Sequence, residues 1–374
     1  MVRIQCAHIY HGTQGNGGLY LDEIFEVLKA KGVTQEVYVS YYFPFNYGKK
    51  YFFKYTDLLG GMRKGTFRLL LRYIELVIGL CRTFYSLLRL QPYVVNYSVI
   101  SNLYLPEKLF IKALKFIIGS KIVFTCHDVI PFSEKQDDVE LLVKKRRELF
   151  RMADYYIVHT VQSRAELIKY YGCKSDNILL YRFPIMDLSK LPNIKIVQGI
   201  EKNIDFLFIG HLRKEKGIDF LISAWKVYFE TYKRYDIKLF IAGNPPRNRS
   251  LDIVDLAKYN IFVCDKYLTD QEYYDLISSA RYVILPYQRG TNSGVISTVK
   301  ALGTNVLCSD IQMFAHNPLV NAEELFCVDN VESFIKSVVK LVESVNLKDN
   351  SEQLKSYRIK FNLEVKSTYH NLLS

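Results

Sequence analysis

The sequence predicts an α/β protein of two doubly wound domains facing each other across a cleft. Short apolar runs alternate with amphipathic segments of helical length, and the alternation occurs twice, on either side of a polar break at 186–203. Several runs are near-continuous in apolar residues, as strands covered by helices on both faces are. Repeated β–α alternation implies mostly parallel sheets joined by right-handed crossovers. A chain of 374 residues, 49% hydrophobic and 24% charged, has apolar material for two cores.

In the first half the strand candidates are 2–9, 36–41, 93–97, 121–126 and 155–159; in the second they are 204–209, 237–242, 282–286 and 305–308. The break, MDLSKLPNIKIVQGIEKN, is polar, contains Pro192 and follows Phe183–Pro184. The expected organisation is a Rossmann-like N-terminal domain over 1–190, a second over 200–350, and a closing helix over 351–374 that packs back on the first. Beyond the strand at 204–209, Ile218, Leu221, Ile222, Trp225 and Phe229 fall on one face of a helix.

Composition removes several classes of function. The seven cysteines are scattered, odd in number and without a C-x-x-C pair, which argues against structural zinc and a disulfide framework. No stretch reaches the roughly 18 apolar residues of a spanning helix. The chain starts at once as a strand, without a basic region leading into an apolar signal core, so the expected location is cytoplasmic. The net charge of +12 favours anionic partners. Without zinc-finger spacing or an RNA-binding aromatic signature, nucleic acid is not the expected one.

In open α/β sheets ligands sit at the carboxyl ends of strands, so the loops leaving strands carry the chemistry. After strand one, YHGTQGNGGLYL places Gly17 and Gly18 where backbone can approach a ligand, or where the chain only turns tightly. The spacing is not G-x-G-x-x-G and strand two ends without a carboxylate, which disfavours hydride chemistry on NAD. FTCHDVIPF sets His127 and Asp128 at a strand end, as a donor to a developing anion or as a histidine satisfied locally. FLFIGHLRKEKGIDFL follows a strand with His211, Arg213, Lys214 and Lys216; arginine forks and lysine point charges suit phosphate. Between 283 and 310 the pattern is strand, loop, helix, strand. Its loop contains no Asp or Glu, and Asn292 and Ser293 stand before the helix. A helix mouth of this kind is an anion site or simply a well-capped terminus.

In order, NGG, CHDVIPF, GHLRKEKGIDFLISAW, IAGNPP and LPYQRGTNSGVISTVKALGTNVLCSD resemble the family 4 glycosyltransferases of the GT-B fold over nearly the whole chain. The resemblance implies a retaining, metal-independent hexosyltransferase. It would take a nucleotide-diphosphate sugar as co-substrate, with no further cofactor, and a glycan or lipid-linked glycan as acceptor in polysaccharide or glycoconjugate biosynthesis. It implies that Arg213 and Lys216 address the donor diphosphate, with His211 in the slot where many members carry the arginine. His127 would lie near sugar and diphosphate, as the third catalytic residue. Gly17, Gly18, Gly243, Asn292, Ser293, Gly294, Val295 and Thr298 would contact the donor. One departure stands out: the family's two glutamates, eight positions apart, fall on Gly290 and Thr298. A non-catalytic nucleotide-sugar-binding subunit of the same fold is therefore the alternative.

The segment 61–90 mixes Arg63, Lys64, Arg68, Arg72, Arg82 and Arg89 with Leu, Ile, Phe and Tyr. Such a helix either rests on an anionic membrane surface or is a long core helix with solvated arginines. Net charge favours the first, and with it a peripheral position on the inner face of the membrane.

Overall fold

The computed structural model of the chain describes residues 3–13, 16–55, 66–98, 104–127, 129–130, 136–197, 200–244, 253–290, 294–344 and 350–374. The chain divides into two compact units, Met1–Pro184 with Lys360–Ser374, and Ile185–Ile359. The boundary thus falls just before the expected break rather than within it, because Ile185 packs into the second unit's core beside Leu207 and Ile209.

The first unit runs β1 (Cys6–Tyr10), α1 (Gly17–Lys29), β2 (Gln35–Ser40), β3 (Lys49–Phe52), α2 (Thr66–Leu90), β4 (Val94–Tyr97), α3 (Tyr104–Ala113), β5 (Lys121–Thr125), α4 (Gln136–Phe150), β6 (Tyr155–Val158), α5 (Val161–Glu166) and β7 (Ile178–Leu180). Its seven strands are ordered β3-β2-β1-β4-β5-β6-β7, all parallel. The order reverses between β1 and β4, so loops leaving these two strands diverge and open a crevice at their carboxyl ends.

The second unit runs β8 (Ile204–Ile209), α6 (Ile218–Tyr232), β9 (Leu239–Ala242), α7 (Ile253–Ala257), β10 (Ile261–Cys264), α8 (Asp270–Ser279), β11 (Ala280–Leu285), α9 (Gly294–Ala301), β12 (Asn305–Ser309), α10 (Gln312–Ala315), β13 (Leu325–Phe326) and α11 (Val331–Glu343). Its parallel sheet is ordered β10-β9-β8-β11-β12-β13 and reverses between β8 and β11. On α6, Ile218, Leu221, Trp225 and Phe229 are buried as the periodicity predicts, and Ile222 is partly buried. Trp225 packs edge-on against Phe206 of β8 at 5.5 Å and donates its indole N–H to the Tyr259 carbonyl. Each such side chain removed from water contributes about 1.5–3 kcal/mol.

The last helix, α12 (Ser351–Leu373), belongs to both units. Tyr357, Phe361, Val365, Tyr369 and Leu372, spaced three or four residues apart, form its buried stripe. Tyr357 joins the second core. From Lys360 onward the helix is held in the first unit by Glu364, which accepts a bidentate bond from Arg182, and by Tyr369, whose hydroxyl accepts from Asn96.

Four strands carry no clear signal in the sequence: β3, β7, β10 and β13. All four are sheet edges. Their residues are largely half-exposed, whereas β1, β4 and β12 are buried throughout, and only strands covered on both faces read as continuous apolar runs.

Candidate functional site

In the second unit the basic loop after β8 folds against the chain leaving β11, at the switch point of the sheet. A single tight turn, Lys214–Lys216, brings the cations together. It ends at Gly217, whose φ of +72° is left-handed and whose added Cβ would lie 1.8 Å from the Pro286 carbonyl oxygen. Only glycine allows that approach. Across the same contact Gln288 N–H donates to the Glu215 carbonyl, and the Lys216 ammonium sits 3.7 Å above the Tyr287 ring centroid. Arg213 is exposed, its guanidinium 3.8 Å from Glu215. Partial burial holds the pKa of His211 below the ordinary histidine value, helped by the neighbouring Arg213 and Lys216 charges. The structure therefore brings Arg213 and Lys216 into one cationic surface, with the His211 imidazole beside it.

Gly243 closes the adjacent strand end. Its φ is +145°, and a Cβ there would meet the Gly210 carbonyl oxygen at 1.7 Å, so the ends of β8 and β9 stack backbone on backbone. Gly294 and Val295 begin α9, the helix that follows β11. Asn292 and Ser293 lie outside the described residues. Thr298 is fully buried and donates its hydroxyl to the Gly294 carbonyl at 3.2 Å, an i to i−4 bond within its own helix. Gly290, the other slot of the glutamate pair, faces Met313, whose Cε would be 3.0 Å from an added Cβ.

In the first unit the glycine loop is occupied by the chain itself. A Cβ at Gly12 or Gly17 would come within 2.5 Å of the buried Tyr10 hydroxyl, so these glycines make room for that ring. Gly18 packs against Pro44, where a Cβ would find Cδ at 3.1 Å. The loop's smallness thus has a structural cause before any ligand is considered. At the β1/β4 switch point stands a buried network absent from the sequence reading: His11 Nε2 lies 3.0 Å from the Tyr97 hydroxyl and 3.1 Å from Glu107 Oε1, and that hydroxyl donates to Glu107 at 2.8 Å.

His127, after β5, stacks on His159, after β6, with centroids 5.5 Å apart, and Tyr20 of α1 meets both rings edge-on at 4.6 and 5.1 Å. Phe183 closes the cage at 5.2 Å from His159. Burial holds the His127 pKa down to about 4. For His159 burial and then the neighbouring His127 hold it down to about 3, so both imidazoles are neutral at neutral pH. His159 Nδ1 lies 3.0 Å from the Tyr181 carbonyl, which fixes the proton on Nδ1 and leaves Nε2 an acceptor. Neither Nε2 has a partner among the described residues. Asp128 lies outside them. Sequence gave no reason to pair His159 or Tyr20 with His127: each stands at the end of a different element, and only the strand order makes them neighbours.

Several solved structures share the architecture at low sequence identity. The catalytic domain of starch synthase IV from Arabidopsis thaliana has a TM-score of 0.61 and 10% identity, with 99% of each chain covered. Sucrose-phosphate synthase from Thermosynechococcus elongatus has 0.55 and 14%, with 99% of this chain and 96% of that one covered. HepE from Anabaena has 0.53 and 12%, with 98% and 96% covered. No curated protein matches the chain in sequence. Residues 101–182, which include His127 and His159, match the glucosyltransferase 3-like N-terminal domain. Residues 203–344, which include the whole cationic loop and α9, match the family described as Glycosyl transferases group 1. The chain is a GT-B glycosyltransferase. The matched segments of this glycosyltransferase contain every loop singled out above except the glycine loop after β1. Among its described residues no cluster of three His, Cys, Asp or Glu side chains is arranged to hold a metal ion, and no helix is long and apolar enough to cross a membrane.

Proposed function

We propose that this glycosyltransferase is of the family 4 type and moves a hexosyl group, with retention and without a bound metal, from a nucleotide-diphosphate sugar to a glycan or lipid-linked glycan. The observation that carries the reading is the cationic surface of Arg213 and Lys216, with His211 beside it, at the β8/β11 switch point. The leaving group of such a reaction is a nucleoside diphosphate. Fixed cations that meet its growing charge lower the barrier without reorganising during the step. The start of α9 adds the positive end of a helix dipole. In the first unit, neutral His127 serves as a hydrogen-bonding group for a sugar.

Support for the donor class comes from relatives of the fold: HepE has been solved with UDP and glucose, and starch synthase IV with ADP and acarbose. With the glucosyltransferase 3-like match over 101–182, these make UDP-glucose the first donor to test. The membrane reading rests on α2. Leu76, Leu80 and Leu87 of this helix are buried, while Phe67, Leu69, Leu70, Ile74 and Ile78 are exposed beside Arg72. A solvated core helix would present polar residues there; an interfacial helix presents apolar and basic ones together. On this reading the protein works peripherally on the cytoplasmic face of a membrane, in polysaccharide or glycoconjugate assembly.

The test is release of UDP, GDP or ADP from a panel of nucleotide sugars, before and after EDTA, with the anomeric configuration of the product read by NMR. Turnover that survives EDTA and keeps the donor's configuration supports the proposal. Absolute dependence on added Mg²⁺ or Mn²⁺, or an inverted product, sinks the corresponding part. The second reading, a nucleotide-sugar-binding subunit, is favoured by the absence of carboxylates at Gly290 and Thr298. Donor binding with no nucleotide released from the donor, whichever acceptor is supplied, would select it.

A further inference from the structure

β3 is the edge strand of the first sheet, two strands from β1, and faces the C-terminal turns of α2. Gly79 fixes the contact, since a Cβ there would lie 2.3 Å from the Phe52 ring. Beyond Gly79 a cavity of about 470 Å³ opens, lined by Lys49 and Tyr51 of β3 and by Arg82, Tyr85, Ser86 and Arg89 of α2. Arg82, Ser86 and Arg89, at i, i+4 and i+7, share one face of the helix.

The charges here do not balance. Lys49 pairs with Glu36 at 3.1 Å. Arg89 donates to the hydroxyl of Tyr85 and stacks on its ring at 4.3 Å, which leaves its charge uncompensated. Arg82 is exposed and has no hydrogen bond or ion pair among the described residues. Of the cavity's three cations, one is matched by a carboxylate. Ser86 Oγ accepts from both Tyr38 and Lys49, at 2.9 and 3.0 Å, so its own proton remains to be donated outward. The wall is therefore rich in donors: two guanidinium forks, an ammonium and a serine hydroxyl with its proton free. Forks of this kind match the oxygens of a phosphate, and gathering like charges without an anion is unfavourable.

We propose that this pocket binds a phosphate ester. The ester is carried either by an anionic lipid or by a soluble phosphorylated molecule. The site is separate from the cationic loop of the second unit and stands whether or not that loop holds a nucleotide diphosphate.

The experiment compares the full-length protein with the double variant Arg82→Gln/Arg89→Gln, and with Ser86→Ala as a milder second variant. Calorimetry reads glycerol 1-phosphate; flotation reads phosphatidylcholine vesicles with and without phosphatidic acid. Both arginines are exposed, so an unchanged melting temperature is expected. Loss of either guanidinium should weaken phosphate binding by roughly tenfold, the effect of one charge-assisted contact. Binding of glycerol 1-phosphate that the double variant loses supports the pocket and a soluble source. Binding confined to phosphatidic-acid vesicles, again lost in the double variant, supports it with lipid as the source. Replacing Phe67 and Ile74 by Ser separates the apolar attachment of α2 from the pocket, since it should reduce vesicle binding without touching glycerol 1-phosphate. Equal binding by wild type and double variant, or no binding of either probe by the wild type, overturns the proposal.

Discussion

At the β8/β11 switch point the side chains are cations in contact with water, poised around a turn that only glycine can close. At the β1/β4 switch point they are buried and hydrogen-bonded to one another, and one and two strands further on stand two stacked, neutral imidazoles. Both sheets are parallel, reverse order once and leave a crevice at the strand ends, so topology does not make the difference. Local sequence does. The second unit places charge in its loop, and charge suits an anion while tolerating small displacements. The first unit fills its loop with Tyr10 and its strand ends with aromatic rings, which favour shape and directed hydrogen bonds. The comparison teaches that one architecture can present charge at the strand ends of one unit and neutral, directed hydrogen-bonding groups at those of the other.

The largest effect should come from Gly217. Changing it to Ala adds left-handed strain and a collision with the Pro286 carbonyl, for a loss of roughly 3 kcal/mol or more together with donor binding. Gly32 of the first unit is the control: its φ is +74°, but a Cβ there meets nothing within 4 Å. Gly32→Ala should cost about 1–2 kcal/mol, the left-handed penalty alone. Equal losses in urea melts of the two variants would mean that the Gly217 contact is not tight.

Next in size is Lys216→Ala, expected to weaken donor binding or transfer by about 1.5–3 kcal/mol while the fold stays intact. Kinetics at limiting donor decide it, and wild-type behaviour there would remove the cationic loop from the reaction.

The third effect is on stability against pH, and it should be largest in the first unit. His8 and His127 are held down to about 4, and His159 to about 3, in each case by burial first. A histidine whose folded pKa lies below its unfolded value of about 6.5 contributes no loss above that pH. As pH falls below it, the unfolded chain gains a proton that the folded chain refuses, and stability drops until the folded pKa is reached. Between pH 6.5 and 5 each fully buried histidine can cost up to about 2 kcal/mol, with less for partly exposed His127. Trp225 is the only tryptophan and lies in the second unit. Far-UV circular dichroism should therefore show an acid-labile transition that tryptophan fluorescence does not follow. His159→Asn should flatten it. Fluorescence that tracks the dichroism, with the same pH slope, would break the comparison.

Per residue changed, the smallest effect concerns α2. Replacing Arg63, Lys64, Arg68 and Arg72 by Gln should reduce sedimentation with anionic liposomes by on the order of 1 kcal/mol per charge, most visibly at low salt. Arg63 and Lys64 lie outside the described residues. The donor-induced melting shift should keep its size, because it reports the other unit. Wild-type protein that ignores anionic and neutral liposomes alike would return α2 to a core helix with solvated arginines.

By itself the sequence determined the α/β class, the central strands and the cationic loop. Central strands are legible because both their faces are buried, which forces a continuous apolar run. Lys216 and Arg213 are legible because three cations beside a strand end have few structural uses. Tertiary structure alone decided the rest. Edge strands β3, β7, β10 and β13 keep a face toward solvent and so lose the pattern. Tyr10 occupies the glycine loop, and Thr298 turns into its own helix, because space and hydrogen bonds are settled by neighbours that no local window contains. His159, Tyr20 and His127 become one cage only through the order β1-β4-β5-β6, which places the ends of distant segments side by side. The stripe on α12 was periodic from the start, but its division at Lys360 between two cores depends on which surfaces were left uncovered, and periodicity specifies a face without specifying its partner.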